Sequence, residues 1–162
     1  MNEFLILFIL KIKPSNIYEI KKYIDKNLAP FMQVSSGAIL PALNRLEKSG
    51  VIKSEKQISQ GGLRKSFYTI LPAGEELFDK LLSEPIISAP QIARREIEVL
   101  SSLLGQEVLS DEQNTLLKEK ITNALQDSIS ILKKTIALNT MNNQYLQDEL
   151  QYAEKRLANF SA

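Results

Sequence analysis

Cysteine, histidine and tryptophan are all missing from this 162-residue chain. Without cysteine there can be no disulfide, no thiolate metal site and no thiol redox sensor. Without histidine the chain lacks the commonest general base, the commonest metal ligand and the usual near-neutral pH switch. No glycine loop is set to cradle a phosphate, since Gly61-Gly62 lacks the strand–loop–helix setting of a nucleotide site. The acidic pair Asp111-Glu112 is accounted for by the preference of helix N-termini for negative charge. An enzyme, a bound cofactor and a metal are therefore not expected. The apolar run Phe4 to Leu10 has seven residues, against the roughly 20 that a membrane-crossing helix needs. It follows Glu3, not a basic stretch, and no small-residue cleavage site comes after it, so it reads as a buried first helix and not a secretion signal. A cytoplasmic protein without membrane contact is expected.

Charge of one sign is scarce in each half. Residues 1–70 carry eleven Lys/Arg against five Asp/Glu, a net of +6, and residues 71–162 carry nine against fourteen, a net of −5. That asymmetry points to a polyanionic partner for the first half only.

The most informative stretch is Ser35 to Ile70. Ser35 and Ser36 can cap a helix N-terminus, because a serine oxygen accepts from the free N–H groups of the first turn. Ile39, Ala42, Leu43 and Leu46 form one apolar face. Gly37, Pro41, Asn44 and Lys48 fall opposite, with Arg45 beside them, on a face that should carry no bulky apolar group. Pro41 removes the N–H that would bond the carbonyl of Gly37, so a loosened or kinked first turn is expected. Gly50 ends the helix where a left-handed residue is cheapest. Val51-Ile52 and Phe67 to Ile70 have strand composition, and Gly61-Gly62 gives the bend between them. A helix backed by a core and followed by a basic hairpin is the layout of a winged helix-turn-helix.

The run from Ser36 to Ile52, SGAILPALNRLEKSGVI, resembles the PadR family of bacterial transcriptional regulators. Arg64-Lys65, Phe67-Tyr68 and Ala73-Gly74 support the resemblance, which spans roughly residues 4 to 82 by motif. The chain departs from the family pattern at Ile17, Ala38, Leu40 and Leu71, where the family has Gly, Thr, Tyr and Thr. The resemblance implies a repressor that binds double-stranded DNA as a homodimer and is released by a small-molecule effector or another signal.

Elsewhere the pattern is helical. Lys13-Pro14-Ser15-Asn16 breaks the first helix and offers a cap to a second, about Asn16 to Asn27. That helix should turn Ile17, Ile20 and Ile24 inward and Lys21, Lys22 and Lys26 outward. A connection from Leu28 to Val34 should tuck Phe31 and Met32 onto the core. Pro72 opens the next helix at a favoured position. Ser83 to Pro90 is the best linker. Helices are then predicted over Ile92 to Leu104, from a capping box at Ser110 to Gln113 through about Leu138, and at the end of the chain. The second of these would run roughly 43 Å. A break or bend is expected over Asn139 to Asn143. The predicted fold is mainly α with a small β-hairpin wing: a winged helix-turn-helix over residues 1–83 and an all-α dimerisation region over 84–162.

Side-chain chemistry assigns roles. Ser35, Ser36, Gly37, Ala38, Pro41, Asn44, Arg45 and Lys48 are placed in the DNA groove. Asn44 is suited to pair with adenine and Arg45 with guanine. Ser36 and the helix N-terminus suit a phosphate. Lys53, Lys56, Arg64 and Lys65 are placed on the backbone from the wing. The seams of the later helices lack obvious cover within some seventy residues, so a second copy is expected against them. The dimerisation residues are Phe4, Phe8, Leu117, Ile121, Leu125, Ile129, Leu132, Tyr145, Leu150 and Leu157. The alternative reading is a dimeric winged-helix module that binds a protein partner and not DNA.

Overall fold

The computed structural model describes residues 2–58, 64–138 and 144–161. In chain order its elements are α1 (Asn2–Ile12), α2 (Ile17–Asn27), α3 (Ser36–Lys48), β1 (Ile52–Ile58), β2 (Arg64–Ile70), α4 (Pro72–Ser83), α5 (Pro90–Leu103), α6 (Asp111–Leu138) and α7 (Gln144–Ser161). The expected class holds: a mainly helical chain with a two-stranded antiparallel hairpin. Gly61-Gly62 and Asn139 to Asn143 lie outside the described residues. The chain forms two compact units, residues 1–81 and 82–162.

The first unit is built around α1. All seven residues from Phe4 to Leu10 are buried, because α1 touches α2, α3 and β2 and so needs no polar face. Phe4 stacks on Phe78 of α4, with ring centroids 4.9 Å apart. Phe8 lies tilted against both Tyr23 and Phe78. Each such ring contributes about 1.5–3 kcal/mol by leaving water. Two residues expected to meet a second copy, Phe4 and Phe8, thus lie inside this core.

Asn16 starts α2 with a reciprocal cap. Its side chain accepts from the Glu19 N–H at 3.1 Å, and the Glu19 carboxylate accepts from the Asn16 N–H at 3.0 Å. Ile20 and Ile24 are buried, and Ile17 is half-buried. In the connection to α3 the buried anchors are Leu28 and Val34, while Phe31 and Met32 are only half-buried. Bulk favours Phe31 and Met32 as anchors, but both fall in the turn directly after α2, where the chain bends over the surface.

A backbone bridge with no sequence signal ties the α1–α2 turn to the hairpin. Ser15 and Tyr68 form an isolated antiparallel pair, exchanging hydrogen bonds of 3.1 and 2.9 Å. Beyond it, α4 begins directly on the base of the hairpin. The Leu71 N–H donates to the Val51 carbonyl at 3.0 Å. A Cβ added at Gly74 would stand 2.3 Å from that same oxygen.

In the second unit α6 packs on both α7 and α5, and α5 touches α7. Pro90 sits in the first turn of α5, two residues before the expected start. Gly105 has φ +74 after the end of α5, and its N–H donates to the Asn114 side chain at 2.9 Å. Ser110 and Gln113 form the expected capping box. Leu117, Ile121, Leu125 and Leu132 are buried within the single chain, Ile129, Leu150 and Leu157 are half-buried, and Tyr145 is exposed. The α6 seam is therefore largely covered without a second copy, because both α5 and α7 pack on it. A polar cluster joins α5 to α7. Arg94 lies 4.1 Å over the Tyr152 ring and donates to Glu149 at 2.7 Å. Tyr152 and Arg156 both donate to Glu98. Burial, followed by the Glu98 carboxylate, pushes the Tyr152 hydroxyl up to about 12.

Candidate nucleic-acid interface

The candidate surface is carried by α3 and the hairpin, both in the first unit. Buried Ile39, Ala42, Leu43 and Leu46 fix which side of α3 faces the core. The opposite side is then open: Ser35, Ser36, Gly37, Pro41, Asn44, Arg45 and Lys48 are all exposed, and Ala38 is half-buried. Ser35 holds the N-cap position in an extended conformation, but its side chain makes no capping hydrogen bond. The first turn instead opens with the Ala38 N–H on the Ser35 carbonyl at 2.9 Å, a tight i,i+3 bond. The helix runs unbroken through Pro41. It stops as a Schellman motif: the Gly50 N–H bonds Glu47 and the Val51 N–H bonds Leu46, with Gly50 at φ +73. Val51 is buried, so this stop also aims the chain into β1.

Leu40 corrects one expectation. It is 43% exposed and lies one turn from both Gly37 and Asn44, so the outward face does carry a bulky apolar group. The spacing that assigns Ile39 and Leu43 to the core leaves Leu40 unplaced, although its angle on the helix puts it at the edge of the polar face.

The hairpin pairs Ile52 with Ile70, Lys53 with Thr69, Ser54 with Tyr68, Lys56 with Ser66, Gln57 with Lys65 and Ile58 with Arg64. It is longer than composition suggests, because residues 53–58 are exposed and carry no apolar alternation to reveal a strand. Side chains alternate across a strand. Lys53 and Lys65 therefore share one face of the hairpin, and Lys56 and Arg64 share the other. The four wing cations do not form a single patch.

Their partners differ too. Arg45 donates to Glu3 of α1 at 2.8 Å. Lys53 pairs with Glu55 at 2.7 Å, and that hydrogen bond holds the Glu55 carboxyl below the usual carboxylate range. Among the described residues, Lys48, Lys56, Arg64 and Lys65 have no acidic partner. Glu47, absent from the sequence-based site, accepts from both the N–H and the hydroxyl of Ser54. It thereby ties the last turn of α3 to β1 and sets the wing against the helix. A single glutamate five residues before a strand gives no sequence signal for such a clamp.

No curated protein matches the chain. Residues 6–80 match the family model described as the transcriptional regulator PadR-like family. Similar solved structures include a transcriptional regulator from Clostridium thermocellum, 29% identical over 48% of this chain and 75% of that one, with TM-score 0.45. A PadR family transcription regulator from Clostridium difficile is 26% identical over 64% and 98%, with TM-score 0.45. Bacillus subtilis PadR, solved in complex with operator DNA, is 18% identical over 98% and 94%, with TM-score 0.49. The similarity to the PadR-like family of transcriptional regulators is thus carried by residues 6–80, which run from α1 to α4 and include both α3 and the hairpin.

Proposed function

We propose that this protein is a sequence-specific repressor that binds a pseudo-palindromic operator as a homodimer. In this reading residues 1–83 contact DNA and residues 84–162 join the two copies. The α3 face lies in the major groove and the hairpin lies along the backbone. The observation that carries it is the exposed row Gly37, Pro41, Asn44 and Lys48 on α3, together with Lys56, Arg64 and Lys65 on the hairpin, which lack an acidic partner among the described residues. Small residues let the helix approach base edges, Asn44 offers a donor and an acceptor, and the cations meet phosphates. Release by a small molecule or another signal rests on the family resemblance. The deciding experiment is a gel shift with the DNA upstream of the protein's own gene, repeated across salt concentrations. A retarded band that competitor DNA of random sequence does not remove supports the reading. Equal competition by random DNA would sink it. The protein-binding alternative draws support from Arg45, whose side chain is engaged by Glu3.

A further inference from the structure

On the outward face of α3, one side chain is of the wrong chemistry for solvent. Leu40 exposes 43% of its surface, yet neighbours three and four residues away along the same face are Gly37 and Asn44. Gly37 has no side chain, and a Cβ built there would meet only the Ser35 hydroxyl, at 3.8 Å. Pro41, also exposed, adds no polar group. Leu40 therefore offers somewhat under half of its surface to whatever meets the tip half of the helix, with Asn44 one turn behind it.

In the major groove one base alone offers an apolar handle: thymine, through its C5-methyl group. We infer that Leu40 reads a thymine methyl in each half-site, an inference that rests on the DNA-binding reading above. Polar bases gain nothing from an isobutyl group, whereas packing it on a methyl removes both from water. Four residues of helix span roughly 6 Å, and successive bases on one strand are about 3.4 Å apart. The thymine read by Leu40 lies within about two base pairs of the base read by Asn44.

The test uses the full-length protein and a duplex that it selects from a random-sequence pool. Each thymine is replaced in turn by uracil, which deletes the methyl and leaves base pairing intact. At one thymine per half-site, uracil weakens wild-type binding about fourfold, the effect of one methyl-sized group left in water. Leu40→Ala binds the thymine and uracil duplexes equally and keeps the wild-type affinity for random DNA. That position falls within about two base pairs of the one at which Asn44→Ala loses discrimination. Wild-type indifference to uracil at every thymine would overturn the inference, and needs no variant to fold. Persistent thymine preference in Leu40→Ala would overturn it equally. If no duplex is enriched from the pool, the DNA-binding reading itself fails, and this inference with it.

Discussion

At the scale of single residues, the sign of an effect depends on what the side chain already touches. Gly74→Ala would ordinarily stabilise a helix by about 0.5–1 kcal/mol. Here the new methyl meets the Val51 carbonyl at 2.3 Å and the Ile70 side chain at 2.7 Å, and overpacking of that kind costs about 1–3 kcal/mol. The clash wins, so chemical denaturation of Gly74→Ala should show a net loss of about 1–2 kcal/mol. Charge substitutions in the site divide the same way. Arg64→Ala and Lys65→Ala, which have no acidic partner among the described residues, should each weaken binding to all sequences alike. Each should lower the salt slope by roughly one for every phosphate that is no longer neutralised, so about two per dimer. Lys53→Ala should do less, since Glu55 already offsets that charge. Asn44→Ala should cost about 1–3 kcal/mol per half-site on the selected duplex and little on random DNA. A salt titration of all four variants on both duplexes separates these outcomes. If wing variants leave the slope untouched, the hairpin is not on the backbone. Glu3→Gln frees Arg45 and removes a carboxylate beside the helix. DNA affinity should rise a few-fold at low salt and less at high salt, in line with the ~1 kcal/mol or less of a surface pair.

At the scale of elements, much of the framework was legible because its signals are local. Asn16 and Glu19, three apart, form the cap of α2, and Ser110 and Gln113 form that of α6. Gly50 and Gly105 stand at helix ends with positive φ. The hairpin was legible only in part, since the exposed stretch from Lys53 to Ile58 is strand because β2 lies beside it, not because of its own composition. The α5–α7 cluster was not legible at all: Arg94 and Glu98 meet Glu149, Tyr152 and Arg156 across more than fifty residues. That cluster makes a pH prediction. The Tyr152 hydroxyl is raised from its ordinary value of 10.0 to about 12 in the fold. A raised value means the fold favours the protonated form. Its contribution is therefore complete below pH 10 and lost as pH climbs through about 12. Arg94, Arg156, Glu98 and Glu149 are the charged groups facing it. In denaturant melts, the wild type should lose more stability between pH 10 and 12 than Tyr152→Phe does. At neutral pH the variant should be weaker by about 0.5–1.5 kcal/mol for the hydrogen bond to Glu98.

For the whole molecule, the burial of α6 changes how a dimer should be tested. Removing residues 142–162 would strip α7 from α6 inside one chain, so lost association could not be told from unfolding. Exposed apolar residues give a cleaner probe, because they lie outside the core: Ile131 on α6 is 45% exposed and Tyr145 on α7 is 54% exposed. If the proposed homodimer uses this surface, Ile131→Asp and Tyr145→Asp should sediment at the mass of one chain at micromolar concentration. Their helical circular dichroism should match the wild type, which itself sediments as two chains. A wild-type mass of one chain, or variants that stay paired, would remove these residues from the interface.

Sequence alone determined the features that depend on neighbours along the chain: the caps of α2 and α6, the glycine stops, the core face of α3, the helices of the second half among the described residues and the resemblance to the PadR-like family. It excluded thiol and histidine chemistry by composition. Only the tertiary structure decided what depends on contacts between distant segments. It set Arg45 on Glu3, clamped Ser54 with Glu47, bridged Ser15 to Tyr68 and split the wing cations between two faces. It also buried Leu117, Ile121, Leu125 and Leu132 inside one chain. The physical reason is that an apolar stripe records only that a residue must leave water. Which surface covers it, and which charges end up beside one another, follows from how the helices pack.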